Sequence, residues 1–253
     1  MNKIGWCDMT WNPVWGCLNN CEYCYARGMA KRFGNKMYRK EWEYRTEHNM
    51  EYADVYFKLK KSLDLDNFKP SFLYSQFNKK FPKKPQRIFV GSMSEIYYWE
   101  KEWMEKVIEK IRQYPQHTFQ FLTKFSEVYS RYEFPRNCWL GLTIIKTPEY
   151  PEPDRWNFLE FKRNNFDNLK FVCFEPLLED IGLSYYLDLT AINWVIVGAE
   201  TGNRKDKIIP RGEWIKNIIY ECKIHKIPVY LKDSLKDIYP VEIKEFPNLG
   251  DKK

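Results

Sequence analysis

Residues 15–25 read Trp15-Gly16-Cys17-Leu18-Asn19-Asn20-Cys21-Glu22-Tyr23-Cys24-Tyr25, in which three cysteines follow the spacing C-x3-C-x2-C. A loop this short can turn three thiolates toward one point, and thiolates are the usual ligands of iron–sulfur clusters. A [4Fe–4S] cluster normally takes four cysteines, so three leave one iron open to another molecule. The pattern therefore predicts a cluster held by Cys17, Cys21 and Cys24.

Zinc and disulfide bonds are the alternative uses of these cysteines. Zinc sites usually combine two cysteine pairs, or cysteines and histidines at set spacings, and no second C-x2-C follows here. The remaining cysteines are scattered and the total of seven is odd, which disfavours a disulfide framework. No apolar signal stretch follows Met1, so we expect no export. The iron–sulfur site is favoured, and zinc stays open.

The composition is that of an ordinary globular protein, with 44% hydrophobic and 30% charged residues in a chain of 253. This length suits one large domain, or one domain with an insertion. No run of about 18 apolar residues occurs, so we expect no contact with a membrane. Cluster thiolates survive in a reducing compartment, which predicts a cytoplasmic protein.

Short apolar runs alternate with helical periodicity along most of the chain. Six runs have the continuous hydrophobicity of parallel strands that are covered on both faces: residues 87–92, 118–123, 139–143, 170–174, 194–198 and 228–232. A further strand is expected at residues 4–8, before the cysteines. Apolar residues at helical spacing predict amphipathic helices around residues 103–111 and 214–222. The alternation predicts an α/β fold, specifically a barrel or partial barrel.

One segment is longer than a strand–helix connection needs, and predicts a basic, partly helical insertion after the first helix. Residues 31–87 hold 15 Lys and Arg against 7 Asp and Glu, so the net charge of +7 is local. Residues 74–85 interleave lysines with aromatic residues, which is typical of single-stranded nucleic-acid binding. A solvated lysine-rich surface is the alternative. The expected division is a barrel core, an insertion and a tail: residues 1–35 with 86–233, residues 36–85, and residues 234–253.

Polar residues follow the predicted strands, where an α/β barrel gathers its reactive groups. Glu175 comes directly after an apolar run, and a carboxylate at the mouth of a barrel is costly unless it is paired or used. Glu200 adds a second carboxylate, so Glu175 and Glu200 are the candidate catalytic residues. Gly198 lets a ligand approach the backbone closely, although a tight turn also explains it. Lys232 is either a substrate contact or part of a surface ion pair.

The cysteine run, with Tyr23 just before its third cysteine, resembles the signature of the radical SAM enzymes. Further segments, in order, resemble a phage-associated branch of radical-SAM-like proteins: DMTWNP (8–13), CYAR (24–27), GSMSE (91–95), FQFLTK (119–124), WLGLT (139–143), FEPL (174–177) and VIVGAETG (195–202). The similarity covers most of residues 4–233. It implies a radical-SAM-type partial (β/α)6 barrel, with the cysteine loop after the first strand.

The resemblance also implies binding sites for S-adenosylmethionine (SAM). The open iron would be chelated by the amino and carboxylate groups of SAM, with Tyr23 near the adenine. The segment after the second strand, which replaces the commoner Gly-Gly-Glu form, would contact the SAM amino group. Lys124 would reach the SAM carboxylate, and Thr143 would contact the ribose. The cofactor-binding residues expected are thus Tyr23, Ser92, Ser94, Glu95, Lys124, Thr143 and Gly198.

The resemblance implies reductive cleavage of SAM, by which a 5′-deoxyadenosyl radical takes a hydrogen atom from a substrate. It implies an electron donor such as flavodoxin or ferredoxin. The basic residues 31–87 favour a nucleic-acid base or nucleotide as the substrate, in modification or repair. Two alternatives stay open: a radical SAM enzyme that acts on a peptide or small metabolite, and a non-catalytic nucleic-acid-binding protein with zinc or a relic cluster.

Overall fold

A computed structural model describes residues 4–51, 68–146, 153–163, 167–181, 189–202 and 204–248 of the chain. Within these ranges, seven parallel strands form a curled sheet, a half-barrel, and two further strands form a small antiparallel sheet. Helical segments follow several of the parallel strands. The chain is therefore an α/β protein, as the alternation of apolar runs predicts.

The described residues contain nine strands: β1 (Met9–Trp11), β2 (Val14–Trp15), β3 (Ser71–Phe72), β4 (Arg87–Val90), β5 (Thr118–Thr123), β6 (Cys138–Thr143), β7 (Leu169–Phe174), β8 (Trp194–Val197) and β9 (Val229–Leu231). They also contain five α-helices: α1 (Tyr25–Glu47), α2 (Tyr74–Phe77), α3 (Lys101–Arg112), α4 (Pro153–Arg163) and α5 (Gly212–Ile224). Short 3-10 helices cover Ile96–Tyr98, Ser126–Arg131 and Asp233–Leu235.

The large sheet has the order β1-β4-β5-β6-β7-β8-β9, and β2 pairs with β3 in the small one. All neighbours in the large sheet are parallel, so each strand ends at the same edge. Strands β4 to β9 overlap the six apolar runs predicted from the sequence, which confirms those six predictions.

The first strand is placed differently, and the expected strand at residues 4–8 is wrong. Those residues form turns and bends, whereas Met9–Trp11 pairs with β4 and sets Met9 opposite Ile88. Trp6 is buried against the inner face of the sheet, where its ring lies 4.6 Å from that of Phe89. Trp6 and Cys7 are apolar because they pack inside the half-barrel, not because they belong to a strand.

Both faces of the large sheet are buried, which confirms the interpretation of its apolar runs. The outer face packs against α3 and α5, whose buried stripes match the helical spacing of the sequence. Gly141 contributes to the inner packing, because a Cβ there would overlap the ring of Phe171. The inner face carries a cluster of aromatic side chains: Trp6, Phe89, Trp139, Phe171, Trp194 and Tyr230.

Helix α1 extends further than the sequence pattern indicates. It continues to Glu47 and so passes residue 36, where the insertion is expected to begin. Residues 52–67 of the insertion lie outside the described ranges, and the division into core, insertion and tail stays a prediction. None of the helices in the described part of the chain has the length and apolar character needed to span a membrane.

The aromatic residues at the end of the insertion belong largely to the core. Phe81 is buried, and its ring meets that of Trp11 edge-on at a centroid distance of 5.0 Å. The ring of Phe77 stacks on Trp11 at 6.0 Å. Lys79 and Lys80 between them are exposed. Phe77 and Phe81 are therefore occupied by packing and do not offer free platforms for nucleic-acid bases.

A buried carboxylate joins α1 to the segment that returns to the sheet. Glu41 is fully buried within α1. It accepts hydrogen bonds from the backbone N–H groups of Tyr74 and Ser75, at 2.9 and 2.8 Å. It also pairs with Arg45 at 2.7 Å. The two amides open α2, so Glu41 supplies acceptors that the first turn of this helix would otherwise lack.

Glu41→Ala is expected to lower the free energy of unfolding by roughly 3 kcal/mol, because Arg45 and two backbone amides lose a buried charged partner. Glu43→Ala is the matched control, since Glu43 is exposed on the same helix and should change this free energy by less than about 0.5 kcal/mol. Urea denaturation measures both. Equal losses in the two variants would contradict the role given to Glu41.

Candidate functional site

The cysteine loop connects β2 to α1 and is attached to the segment that follows β4. The Gly16 N–H donates to the carbonyl of Met93 at 3.0 Å, and Gly16 pairs with Ser94 in a parallel bridge. Gly16 has a φ of +109°, and a Cβ there would overlap the carbonyl of Lys69. Only glycine tolerates this backbone and this close approach. The glycine before the first cysteine therefore fixes the loop at the C-terminal edge of the sheet.

The three predicted ligands lie together on this loop. Cys24 caps the N-terminus of α1, where its Sγ accepts the N–H of Arg27 at 3.4 Å. The Sγ of Cys17 accepts the N–H of Asn19 at 3.3 Å. Cys17 is buried, whereas Cys21 and Cys24 are half-buried. The loop thus has one inner and two outer thiols.

The thiol of Cys17 lies in an environment that disfavours a free thiolate. Burial raises its pKa to about 12, and the nearby Glu95, Cys24 and Cys21 act in the same direction. Binding to a metal would have to deprotonate this thiol. Three thiols on one loop fit a cluster as donors.

A single-ion site is a different arrangement. Within the described residues, no group of three or more His, Cys, Asp and Glu side chains is arranged to hold one metal ion. The thiolates of a cubane cluster each bind a different iron, so they do not have to converge on one ion.

Glu95 is buried at the end of β4 and binds to the end of β5. Its carboxylate accepts a hydrogen bond from the Thr123 hydroxyl, and others from the N–H groups of Lys124 and Tyr97 at 3.1 and 3.2 Å. Burial raises the pKa of Glu95 in spite of these donors. The resemblance assigns Glu95 and Lys124 separately to SAM, and in the structure the Lys124 backbone contacts the Glu95 carboxylate. Thr123, which completes the contact, was not predicted.

Lys124 also meets the aromatic residue of the cysteine motif. Its Nζ lies 5.3 Å from the centre of the Tyr23 ring, within the range of a cation–π contact. Two residues that are 101 positions apart in the sequence, and that the resemblance assigns to one cofactor, therefore lie side by side. This contact places the end of β5 beside the cysteine loop.

The serines after β4 have structural partners. The Ser92 hydroxyl donates to Oδ1 of Asn12 at 3.1 Å, and the Ser92 carbonyl accepts the hydroxyl of Tyr25 at 2.6 Å. The Ser94 hydroxyl accepts the indole N–H of Trp99 at 3.1 Å. Asn12 and Tyr25 were not predicted as site residues, although both belong to motifs around the cysteines. They connect β1 and α1 to this segment.

Thr143 and Gly198 occupy the ends of two other strands. Thr143 is half-buried at the end of β6, opposite Cys173 of β7. Gly198 follows β8, and a Cβ there would lie 3.0 Å from the side chains of both Glu175 and Lys232. Contacts this short are tighter than a packed interior allows without shifts. A side chain at position 198 would therefore crowd Glu175 and Lys232. From the sequence, a close ligand approach or a tight turn explains Gly198, and these contacts were not anticipated.

Glu175 and Lys232 form an ion pair at the ends of β7 and β9. Their side chains are 22% and 16% exposed, so the pair lies at the mouth of the half-barrel and not on its outer surface. Burial alone would lower the pKa of Lys232, but the Glu175 carboxylate reverses this and raises it. Of the two interpretations of Lys232, the ion pair is present, and it is largely buried.

Glu200 has its own partner. Arg204 donates two hydrogen bonds to its carboxylate, each 2.8 Å long, and a third group of the same arginine lies 3.4 Å from Glu22. Arg204 thereby holds the pKa of Glu200 below its usual value. The two predicted catalytic carboxylates, Glu175 and Glu200, are thus bound by different cations. Arg204, which joins the segment after β8 to the cysteine loop, was not predicted.

A cleft of about 400 Å³ lies beside the cysteine loop, and is named the α1 cleft. This volume is in the range of roughly 300–1,000 Å³ that ligand sites usually have. One wall is the end of the loop and the first two turns of α1, and the other is the segment that follows β8. The residues that line it include Tyr23, Cys24, Tyr25, Met29, Arg32, Glu200, Gly202 and Arg204.

Gly198→Ala is expected to lower the free energy of unfolding by about 1–3 kcal/mol, because the added Cβ displaces the Glu175–Lys232 pair. Gly212→Ala is the control, since a Cβ at Gly212 meets nothing closer than the carbonyl oxygen of Ile238 at 3.5 Å. Thermal and urea denaturation measure the two variants. A Gly198→Ala protein as stable as the control would show that the pair can move without cost.

The Glu200–Arg204 pair should stabilise the protein in a pH-dependent way. Because the pKa of Glu200 in the folded chain lies below its ordinary value of 4.5, the stabilisation is present above that value and is lost as the pH falls through the lowered pKa. The stability difference between the parent and Glu200→Gln should therefore shrink below about pH 4.5. Glu213→Gln, at an exposed position, is the control. A difference that stays constant would contradict the pairing.

Comparison with known proteins gives one match. The family described as "Protein of unknown function (DUF5131)" matches residues 1–237. No curated protein and no solved structure matches the chain. The matched region contains the cysteine loop, every strand of the half-barrel and both walls of the α1 cleft. The chain therefore belongs to the DUF5131 family.

Proposed function

We propose that this chain is a radical SAM enzyme, in which Cys17, Cys21 and Cys24 hold a [4Fe–4S] cluster. The observation that carries the proposal is the position of the cysteine loop, which is hydrogen-bonded to the segment after β4 at the C-terminal edge of the half-barrel. Barrel enzymes place their reactive groups at this edge. The contact between Tyr23 and Lys124 beside the loop supports a cofactor site there.

The half-barrel supports the finer assignment to the partial (β/α)6 barrel of the radical SAM enzymes. Its parallel strands follow one another in chain order from β1 to β9, with β2 and β3 set apart in the small sheet. The cysteine loop follows β1 by way of β2. This order agrees with the resemblance that the sequence motifs carry.

When bound, the cluster supplies an electron and SAM supplies a carbon radical that takes a hydrogen atom from the substrate. The residues of this chain would bind and orient the reactants. Lys124 would offer its ammonium group to the SAM carboxylate, next to Tyr23. Thr143, half-buried at the end of β6, would offer its hydroxyl group. Ser92 already binds Asn12 and Tyr25, so it would position the segment after β4 beside the cofactor. The aromatic side chains on the inner face of the sheet would exclude water from the side of the cofactor site that faces the half-barrel.

Glu95 and Ser94 would act on the cofactor through other residues. The Glu95 carboxylate is already bound to Thr123 and to the N–H of Lys124, and the Ser94 hydroxyl to Trp99. Both would therefore position the backbone around the cofactor. The resemblance implies that Glu95 contacts the SAM amino group directly. We propose a positioning role instead, because the protein already supplies hydrogen-bond donors to this carboxylate.

The substrate would lie between the cysteine loop and the mouth of the half-barrel. The Glu175–Lys232 pair offers an acceptor and a donor there, and the two side chains pack directly against Gly198. Glu200 is bound by Arg204 and would shape the α1 cleft. An electron donor such as flavodoxin or ferredoxin, and a cytoplasmic setting, belong to the same proposal.

The test is anaerobic reconstitution of the purified chain with iron and sulfide, followed by dithionite, SAM and an assay for 5′-deoxyadenosine. We expect about four irons per chain and formation of 5′-deoxyadenosine. A triple variant, Cys17→Ala/Cys21→Ala/Cys24→Ala, should lose both. Cys222→Ala is the matched control, since Cys222 is buried on α5 and should keep the iron.

The outcomes separate the alternatives. Iron and 5′-deoxyadenosine in the parent and the control, but not in the triple variant, support the proposal. Purified protein that holds zinc in place of iron, and neither binds nor cleaves SAM, would overturn it and favour a binding protein. Equal iron content in the parent and the triple variant would show that the cluster is not held by this loop.

A further inference from the structure

The rim of the α1 cleft is exposed and rich in large apolar side chains. Tyr25, Met29 and Phe33 follow one another at intervals of four, so they share one face of α1, and they are 51%, 44% and 44% exposed. Further along the segment that follows β8, beyond the residues that line the cleft, Ile208 and Ile209 are 41% and 64% exposed. Grouped apolar side chains of this kind mark a binding surface more often than scattered ones.

Tyr25 is held in place as an aromatic platform. Its hydroxyl donates to the carbonyl of Ser92 at 2.6 Å. The rest of the residue stays half exposed toward the α1 cleft. Because the hydrogen bond fixes the ring before a ligand arrives, stacking on it costs little conformational entropy.

The same surface carries a surplus of positive charge. On α1, Arg32 lines the cleft and Lys36 follows one turn later, both exposed. In the segment that follows β8, Lys205 and Lys207 come directly after the last lining residue, Arg204, and both are exposed. The acidic groups nearby, Glu22, Glu200 and Asp206, face Arg204, which pairs with the first two. Arg204 and its two carboxylate partners largely offset one another, so Arg32, Lys36, Lys205 and Lys207 are the cations left to attract an anionic ligand.

We infer that the α1 cleft binds single-stranded nucleic acid and brings one of its nucleotides to the cysteine loop. Phosphates lie along Arg32 and Lys36 on one wall and Lys205 and Lys207 next to the other, while bases stack on the rings of α1. Cations along a groove with exposed rings are the arrangement by which proteins hold single strands. This inference rests on the proposed radical SAM function for its reaction, and assigns the substrate class of the same site.

The exposed aromatic rings of α1 favour nucleic acid over other polyanions as the ligand. An acidic protein surface would use the cations but would gain little from a fixed, half-exposed tyrosine. The basic segment at residues 74–85 is a weaker site, because Phe77 and Phe81 pack against Trp11. The strand is therefore assigned to α1 and the segment after β8, and not to residues 74–85.

Binding is tested with the full chain, with and without reconstituted cluster, and fluorescein-labelled 12-nucleotide oligothymidine and oligouridine. Anisotropy titrations at several salt concentrations measure the affinity. We expect Phe33→Leu, which keeps an apolar side chain but removes the ring, to weaken binding by roughly 5- to 100-fold. Arg32→Ala/Lys36→Ala should reduce the slope of log affinity against log salt by roughly 1.4, for two lost phosphate contacts.

Helix α5 provides the control surface. Tyr220 is 64% exposed there, and Lys216 and Lys223 are exposed on the same helix. Tyr220→Ala and Lys216→Ala/Lys223→Ala should leave both affinity and salt slope unchanged. Far-ultraviolet circular dichroism of each variant excludes a loss of folding as the cause of weaker binding.

Three outcomes would overturn the inference. These are an affinity that does not change with salt, equal losses in the α1 and α5 variants, and unchanged binding by Phe33→Leu with displacement of the oligonucleotide by poly-L-glutamate. The last result would assign the face to an acidic protein. Formation of 5′-deoxyadenosine without oligonucleotide binding overturns only this inference, whereas binding without SAM cleavage overturns only the proposed function.

Discussion

Parallel pairing of seven strands is the constraint on which the rest of this structure depends. Parallel neighbours end at one edge, so residues far apart in the sequence become neighbours there without any attraction between them. The Tyr23–Lys124 contact and the Glu175–Lys232 pair both exist for this reason. The packed aromatic residues of the inner face support the edge from below. The common direction of the strands thus brings the residues of the candidate site together, and side-chain chemistry then determines their contacts.

Carboxylates near this edge are stabilised by particular partners. Glu95 binds a hydroxyl and two backbone amides, Glu175 an ammonium group, and Glu200 a guanidinium group. Removing a charge from water is costly unless donors replace the water. The partners differ in how they bind: the Glu175–Lys232 pair packs against Gly198, whereas both oxygens of Glu200 are bound by Arg204.

The distribution of basic residues shows why composition alone is a weak guide to a nucleic-acid surface. The sequence points to residues 31–87 because charge is concentrated there. In the structure, rings at the end of that segment pack against Trp11, and exposed rings lie on α1. The segment after β8, which lies outside residues 31–87, supplies the opposite wall of the cleft. A binding surface requires side chains that face the same side of the protein. Which side chains do so is determined by packing.

Local patterns were enough for six of the seven parallel strands, the buried stripes of α3 and α5, and the three cysteines on one loop. These features depend on the period of the hydrophobic residues and on spacing within about ten residues. The position of β1, the full length of α1, and the roles of Asn12, Tyr25, Glu41 and Arg204 required the folded chain. Each of them depends on a partner distant in the sequence, or on whether a segment pairs as a strand or packs inside the half-barrel, as the segment around Trp6 does. No local pattern records such long-range contacts, because their energy exists only once the sheet has brought the partners together.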